Sequence, residues 1–211
     1  MNQTELILKE TYDLISKDFD KTRIMIWKCV QNFINNISDK KSIILDAGCG
    51  NGKNMVYMKN KGFEFVKGCD FSDNFVKLCI TKNLDVIQAN LLDVPFESDT
   101  FDNIISIAVI HHLSTEGNRI KAIRELLRVI KKKGRILITV SSFEFPFYKK
   151  MESLTQDLMI PWKNPKGDIL GHRYYYLFKK YELERLCCLA GGVVLDSFFE
   201  HDNWIVILGK E

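Results

Sequence analysis

Little in this sequence marks a special environment. No apolar run approaches the roughly 18 residues of a membrane span, and the start lacks the basic opening and apolar stretch of a secretory signal. There is no internal repeat and no low-complexity tract. Six cysteines are present, but no two are separated by the two-residue gap of a zinc knuckle, and Cys187 and Cys188 are adjacent. They read as reduced, mostly buried thiols, and no metal site is expected. Proline is scarce, and three of the four prolines fall between 142 and 180. The net charge of +3 is too small to establish a nucleic-acid surface by itself. The expectation is a chain with no membrane association, placed in the cytoplasm, with the nucleus as the alternative.

What is present suits one core. Hydrophobic residues make up 46% and charged residues 27% of 211 positions, which fits a single domain over 1–211. Residues 4–19 and about 22–37 carry apolar positions at helical spacing, an N-terminal helical cap over 1–40. Trp27 and Phe33 read as the buried face of the second helix. Strands and helices then alternate. Strands are expected at 42–46, 65–70, 84–89, 101–107 and 135–140. Helices are expected at 53–61, from the Ser72 cap to about 82, and at 115–130. Such βαβ order implies a mostly parallel sheet covered on both faces. Residues 142–180 break the rhythm and read as an insertion. A helix at 181–190 follows, then strands at 193–199 and 203–210 as an antiparallel hairpin around His201-Asp202.

The strongest motif is Asp46-Ala47-Gly48-Cys49-Gly50-Asn51-Gly52, after a strand and before a helix. Glycine there lets backbone approach a ligand, and the helix N-terminus offers free N–H donors. Twenty residues past Gly50, Asp70 ends the next strand, where a carboxylate can accept ribose hydroxyls. A dinucleotide loop would read G-x-G-x-x-G, but Lys53 stands at the last position. The string resembles the signature of S-adenosylmethionine-dependent methyltransferases. That resemblance implies a Rossmann-like class I α/β fold: a seven-stranded, mostly parallel sheet with one antiparallel strand and helices on both faces. It makes Asp46, Gly48, Gly50, Asn51, Gly52, Asp70, Phe71, Asn90, Leu91 and Ile107 the candidate cofactor-binding residues. Asn90 stands where these enzymes usually have Asp to hold the adenine amino group; its carbonyl can accept the same bond, though it also reads as a plain turn residue.

After the fourth strand the chain reads Ser106-Ile107-Ala108-Val109-Ile110-His111-His112-Leu113. The Pro-Pro-aromatic element of amino-group DNA methylases is absent, as is any Pro-Cys pair, so covalent base methylation is disfavoured. Four pieces together resemble the wobble-uridine tRNA methyltransferases that esterify a 5-carboxymethyl group. They are Tyr12-Asp13 with Phe19, Thr22-Arg23 and Trp27; the glycine loop with the His-His run; Gln156-Asp157 through Pro161-Trp162-Lys163; and Arg173-Tyr174-Tyr175-Tyr176 with Glu182-Leu183 and Asn203-Trp204.

The resemblance implies a carboxylate nucleophile, ionised near neutral pH and in no need of a general base. Arg23 and Arg173 are then candidates to grip that carboxylate or a phosphate, with one of them alternatively holding the cofactor's own carboxylate. His111 is a candidate donor to the substrate, and Tyr174, in its aromatic cluster, could stack a flipped base. Residues 142–180 hold seven Lys and Arg against four acids, the expected tRNA-facing substrate lid. Lys131-Lys132-Lys133 reads as a solvated turn. The resemblance also implies a heterodimer with a small zinc-binding activator, its sheet extending the apolar edge strand 84–89. The alternative kept open is a small-molecule methyltransferase acting on a lipid, quinone or carboxylic acid.

Overall fold

A computed structural model describes residues 3–144, 155–164 and 166–210. The sheet grows outward from β1 (Ile43–Ala47), whose continuous apolar run suits a strand buried on both faces. Parallel partners flank it: β2 (Phe65–Asp70) on one side and β4 (Phe101–Ile107) on the other. β3 (Asp85–Gln88) extends β2, and β5 (Ile130–Ser141) extends β4. β9 (Asn203–Gly209) pairs antiparallel with both β5 and β8 (Val193–Glu200). The seven-stranded order is β3-β2-β1-β4-β5-β9-β8, with β9 the one antiparallel member, as expected. His201 and Asp202 both take left-handed φ, at 47° and 62°, the twist that closes a two-residue hairpin.

Strand alternation divides the core in two. Leu45, Ile104, Ile136 and Val206 face one side, covered by α5 (Glu116–Val129) and α6 (Glu182–Leu189). Ile44, Ile105, Leu137 and Ile205 face the other, covered by α2 (Lys28–Asn35) and α3 (Lys53–Asn60). Phe33 is buried there as expected, while Trp27 is half-buried and precedes α2.

Two expectations need correction. α1 (Gln3–Thr22) runs longer than expected, and the second helix starts at Lys28 instead of near Thr22. Residues 23–27 leave the helix because side chains of the glycine loop take their carbonyls: Asn51 Nδ2 donates to Arg23 O and Lys53 Nζ to Met25 O. The stretch 142–180 is also not irregular throughout. β6 (Asp157–Lys163) and β7 (Ile169–Tyr176) form a separate antiparallel hairpin against α1. Contact is close: the Thr11 hydroxyl donates to His172 O, and a Cβ on Gly171 would lie 2.8 Å from Thr11 Cγ2. Lys149, Lys150 and Glu152 of the basic stretch lie outside the described residues. Lys131–Lys133 open β5, with Lys132 and Lys133 exposed and Lys131 paired to Asp102 at 2.9 Å.

Ser72 caps α4 (Asp73–Thr81), accepting the Phe75 N–H, and its hydroxyl donates to Asp13 on α1 at 2.6 Å. Ser72→Ala removes both bonds, so we expect a loss of about 1–2 kcal/mol in urea unfolding at an unchanged m-value.

Candidate active site

The chain leaves β1 through a turn in which Gly48, Gly50 and Gly52 all have positive φ. At Gly48 the constraint is doubled: φ is 81° and a Cβ would meet Val109 Cγ2 at 2.4 Å. Asp70, at the end of β2, holds this turn. Its Oδ2 accepts the Gly50 N–H at 2.7 Å and its Oδ1 the Ser72 N–H at 2.9 Å. Burial pushes the Asp70 carboxyl up to about 6, although the Ser72 and Gly50 amides pull it down. Asp46 is fully buried, and neither of its oxygens completes a hydrogen bond among the described residues. Burial, with the Asp70 charge added, pushes it up to about 7. The site thus holds two buried acids, Asp70 bonded through both oxygens and Asp46 through neither.

A cavity of about 470 Å³ opens at this C-terminal end of the sheet. The glycine turn, Asp70, Phe71, Asn90, Leu91 and Ile107 line it. So do Tyr12, Phe19 and Arg23 from α1 and the strap that follows it, and Arg173 and Tyr175 from β7. The two arginines converge on one indole. The Arg23 guanidinium lies 5.0 Å from the Trp162 ring centre and that of Arg173 lies 4.9 Å from it, while Phe19 stacks on the same indole. Neither arginine makes an ion pair among the described residues. Arg173 Nη1 donates to a neutral group, the Tyr175 hydroxyl, at 3.1 Å.

Ala108 takes a left-handed conformation, φ 59°, at the end of β4 and turns the chain into the short helix Ile110–His112. That turn sets His111 and His112 into the cavity wall. Tyr175 stacks on His111 with ring centres 4.6 Å apart. The Tyr12 hydroxyl lies 2.7 Å from His112 Nε2.

The structure brings together Arg23, Arg173, His111 and the glycine turn, all foreseen from sequence. Tyr174 is not among the lining residues. Its hydroxyl donates to Asp157, so it anchors the hairpin, and Tyr175 is the tyrosine that reaches the cavity. Gly52 is also outside the lining; its positive φ serves the start of α3, where a Cβ would strike Leu84. Asp46 lies behind the turn and can act on a ligand only through its charge. Asn51 directs its amide to Asp20 and the Arg23 carbonyl, tying the strap down. Asn90 Oδ1 accepts the Leu92 N–H in its own turn, leaving one lone pair for a ligand. Sequence reasoning offers the cluster Tyr174-Tyr175-Tyr176 but singles out Tyr174 instead of Tyr175, and it misses the Tyr12–His112 bond. Only strand alternation from Arg173 could have pointed to Tyr175 as its ring-adjacent neighbour.

The methyltransferase-domain family matches residues 45–138. The chain is 35% identical to a Schizosaccharomyces pombe tRNA (carboxymethyluridine(34)-5-O)-methyltransferase, covering 95% of each. It is 32% identical to the Xenopus tropicalis tRNA (carboxymethyluridine(34)-5-O)-methyltransferase alkbh8, over 95% of this chain but 40% of that longer one. The solved complex between the Haloferax volcanii Trm112 methyltransferase activator and a putative methyltransferase holds a chain of the same fold, with TM-score 0.70, 15% identity, and coverage of 94% of this chain and 96% of that one. An identity of 35% sustained along nearly the whole of both chains, on a matching domain that begins within β1, means that this chain belongs to the tRNA (carboxymethyluridine(34)-5-O)-methyltransferase family.

Proposed function

We propose that this chain methylates the carboxylate of a 5-carboxymethyl group on the wobble uridine of tRNA, forming a methyl ester. The observation that carries the reading is the pair of arginines over Trp162, two cations without acid partners in the same cavity as the glycine turn. A site built to hold an amine would not leave two guanidiniums uncompensated beside it. Two planar forks suit a carboxylate or a phosphate, each of which accepts bidentate bonds. Relatives named for this reaction, one of them matched end to end, support it over a small-molecule substrate.

The methyl donor is S-adenosylmethionine, and the residues fit it. Bound there, it supplies an electrophilic methyl on a sulfonium. The unpartnered oxygens of Asp46 leave negative charge behind the turn, which suits a cationic ligand. Gly48 and Gly50 let backbone come close, and the N–H groups entering α3 suit the donor's carboxylate. Asp70 is placed for the ribose hydroxyls, and Phe71, Leu91, Ile107 and the free lone pair of Asn90 for the adenine. On the substrate side Arg23 and Arg173 orient one oxygen of the carboxylate so that the other faces the methyl. The aromatic wall of Tyr12, Phe19 and Phe75, with Trp162 stacked on Phe19, excludes water. The β6–β7 hairpin acts as a substrate lid over this wall.

A small zinc-binding activator docks on the β3 edge. β3 closes one end of the sheet with no further strand among the described residues. Ile80, on the helix packed against that edge, and Phe65, at the start of β2, are about half exposed. An apolar open edge is a hazard unless covered, and a strand added to it satisfies both the backbone and the apolar groups.

Three outcomes check this. Arg23→Ala and Arg173→Ala each lower kcat/KM on carboxymethyluridine tRNA by about ten- to a hundredfold; rates near wild type in both would remove the assignment. Whichever variant also weakens cofactor binding identifies an arginine that holds the donor's carboxylate. Cofactor binding is linked to protons. A cation near Asp46 and hydroxyl donors on Asp70 favour the ionised acids and depress carboxyls that stand at about 7 and 6 in the free chain. Binding therefore releases protons near pH 6 to 7, and affinity rises with pH until release vanishes by about pH 8.5. Calorimetry in two buffers of unequal ionisation heat reads this directly. Ile80→Asp, at an exposed position, leaves cofactor affinity intact and weakens co-elution with the activator.

A further inference from the structure

The two adjacent histidines carry opposite hydrogen-bond instructions. His111 Nδ1 lies 3.0 Å from the Ser141 backbone nitrogen. A backbone N–H can only donate, so this Nδ1 offers its lone pair. His112 Nδ1 lies 2.6 Å from the Tyr174 carbonyl oxygen. A carbonyl can only accept, so this Nδ1 carries a proton. Both rings are neutral. Burial, then the neighbouring His112 and Arg173, hold His111 well below the usual imidazole range; burial, with Arg173 adding to it, takes His112 down to about 3. A neutral imidazole has one proton, so the His111 proton is on Nε2 and His112 Nε2 is bare. The Tyr12 hydroxyl, 2.7 Å from His112 Nε2, donates to it. His111 Nε2 has no partner among the described residues, although His111 is 1% exposed and lines the cavity.

All four ring nitrogens are thereby accounted for. Two lone pairs are taken by the Ser141 N–H and the Tyr12 O–H, one proton by the Tyr174 carbonyl, and one N–H is left over. We propose that His111 is a specificity-determining donor whose Nε2–H binds an anionic oxygen of the substrate, and that neither histidine can serve as a base. This rests on the functional reading above and deepens it: the enzyme takes nucleophiles that arrive already ionised. An unpaired buried N–H is unfavourable, and an incoming anion that accepts it removes that penalty. Tyr175 links this donor to the arginine. Its ring stacks on His111 and its hydroxyl receives Arg173. An anion that draws the Arg173 guanidinium away frees Tyr175 to shift and uncover the imidazole. Besides the two arginines, the other charged and imidazole groups around the cavity are Asp70, which holds the glycine turn, Lys53, whose Nζ donates to Met25 O, Glu5, which accepts the Asn118 amide at 3.1 Å, and Asp202 and His201 in the β8–β9 turn. None of them is bonded to either histidine among the contacts described.

Long-range proton–nitrogen spectra of the full chain, labelled with 15N at histidine, read the tautomers. Peaks are assigned with His111→Gln and His112→Gln. We expect His111 protonated at Nε2 alone and His112 at Nδ1 alone at pH 7. On carboxymethyluridine tRNA, His111→Phe lowers kcat/KM by about ten- to a hundredfold, with calorimetric affinity for S-adenosylmethionine unchanged as the check on folding. His111→Gln places an amide donor near the lost N–H and restores part of the rate. A proton on His111 Nδ1, or a His111→Phe chain as active as wild type, overturns the inference. A wild-type chain that binds the donor yet leaves this carboxylate unmethylated, activator present, overturns the functional reading, whereas the tautomer assignment is still decided by the spectra.

Discussion

Asp70 ties the two halves of the site together. Its carboxylate accepts one amide from the glycine turn and one from Ser72. Ser72 in turn caps α4 and donates to Asp13, and Asp13 sits one residue from Tyr12 on α1. Tyr12 reaches His112, whose other nitrogen holds the Tyr174 carbonyl of the hairpin. A continuous run of hydrogen bonds and one residue step along α1 therefore joins the cofactor turn to the lid strand. Burial pushes the carboxyl at its head up to about 6, so ligand charge at the turn acts on the first link. Alpha-1 is positioned by this run as much as by apolar contact, since its inward face carries Asp13, Ser16 and Thr11 alongside Leu8 and Ile15.

Much of this fold is legible in the sequence, because the sheet is written in residues whose choice is local. β2 and β4 fall at the boundaries that their apolar runs and flanking glycine or polar residues suggest. The glycine turn is legible because few residues tolerate three positive φ values in five positions. The hairpin β6–β7 is not, and the reason is Pro161. A proline inside an apolar run argues against a strand, yet a two-stranded hairpin has free edges, and Pro161 needs no ladder donor on its open side. The end of α1 is obscured for another reason. Ile24, Ile26 and Trp27 continue an apolar pattern, but tertiary bonds from Asn51 and Lys53 claim the carbonyls that a helix would use.

The site shows the same division. Residue types were legible, whereas side-chain direction was not. Three successive tyrosines on a strand cannot face one way, and only alternation along β7, once that strand is known, sets Tyr175 on the face of Arg173. Asn90 was recognisable as a possible ligand and as a turn residue, and its geometry shows the turn bond. Tyr12 gave no local signal, since its partner is 100 residues away.

The arrangement also suits the direction of charge in the proposed reaction. A carboxylate and a sulfonium enter with opposite unit charges, and an ester and a thioether leave with none. A wall of Tyr12, Phe19 and Phe75, with Trp162 stacked on Phe19, lowers the local dielectric, and a reaction that cancels charge is favoured where charge is poorly solvated. The grip must then fail once the ester forms. Charge-assisted bonds from Arg23, Arg173 and the His111 N–H weaken to ordinary ones when their acceptor becomes neutral. Protein acids paired to those arginines would have satisfied them permanently and dulled this difference. Holding Arg173 with the neutral Tyr175 hydroxyl keeps its charge available to substrate and lets the product leave when the charge is gone.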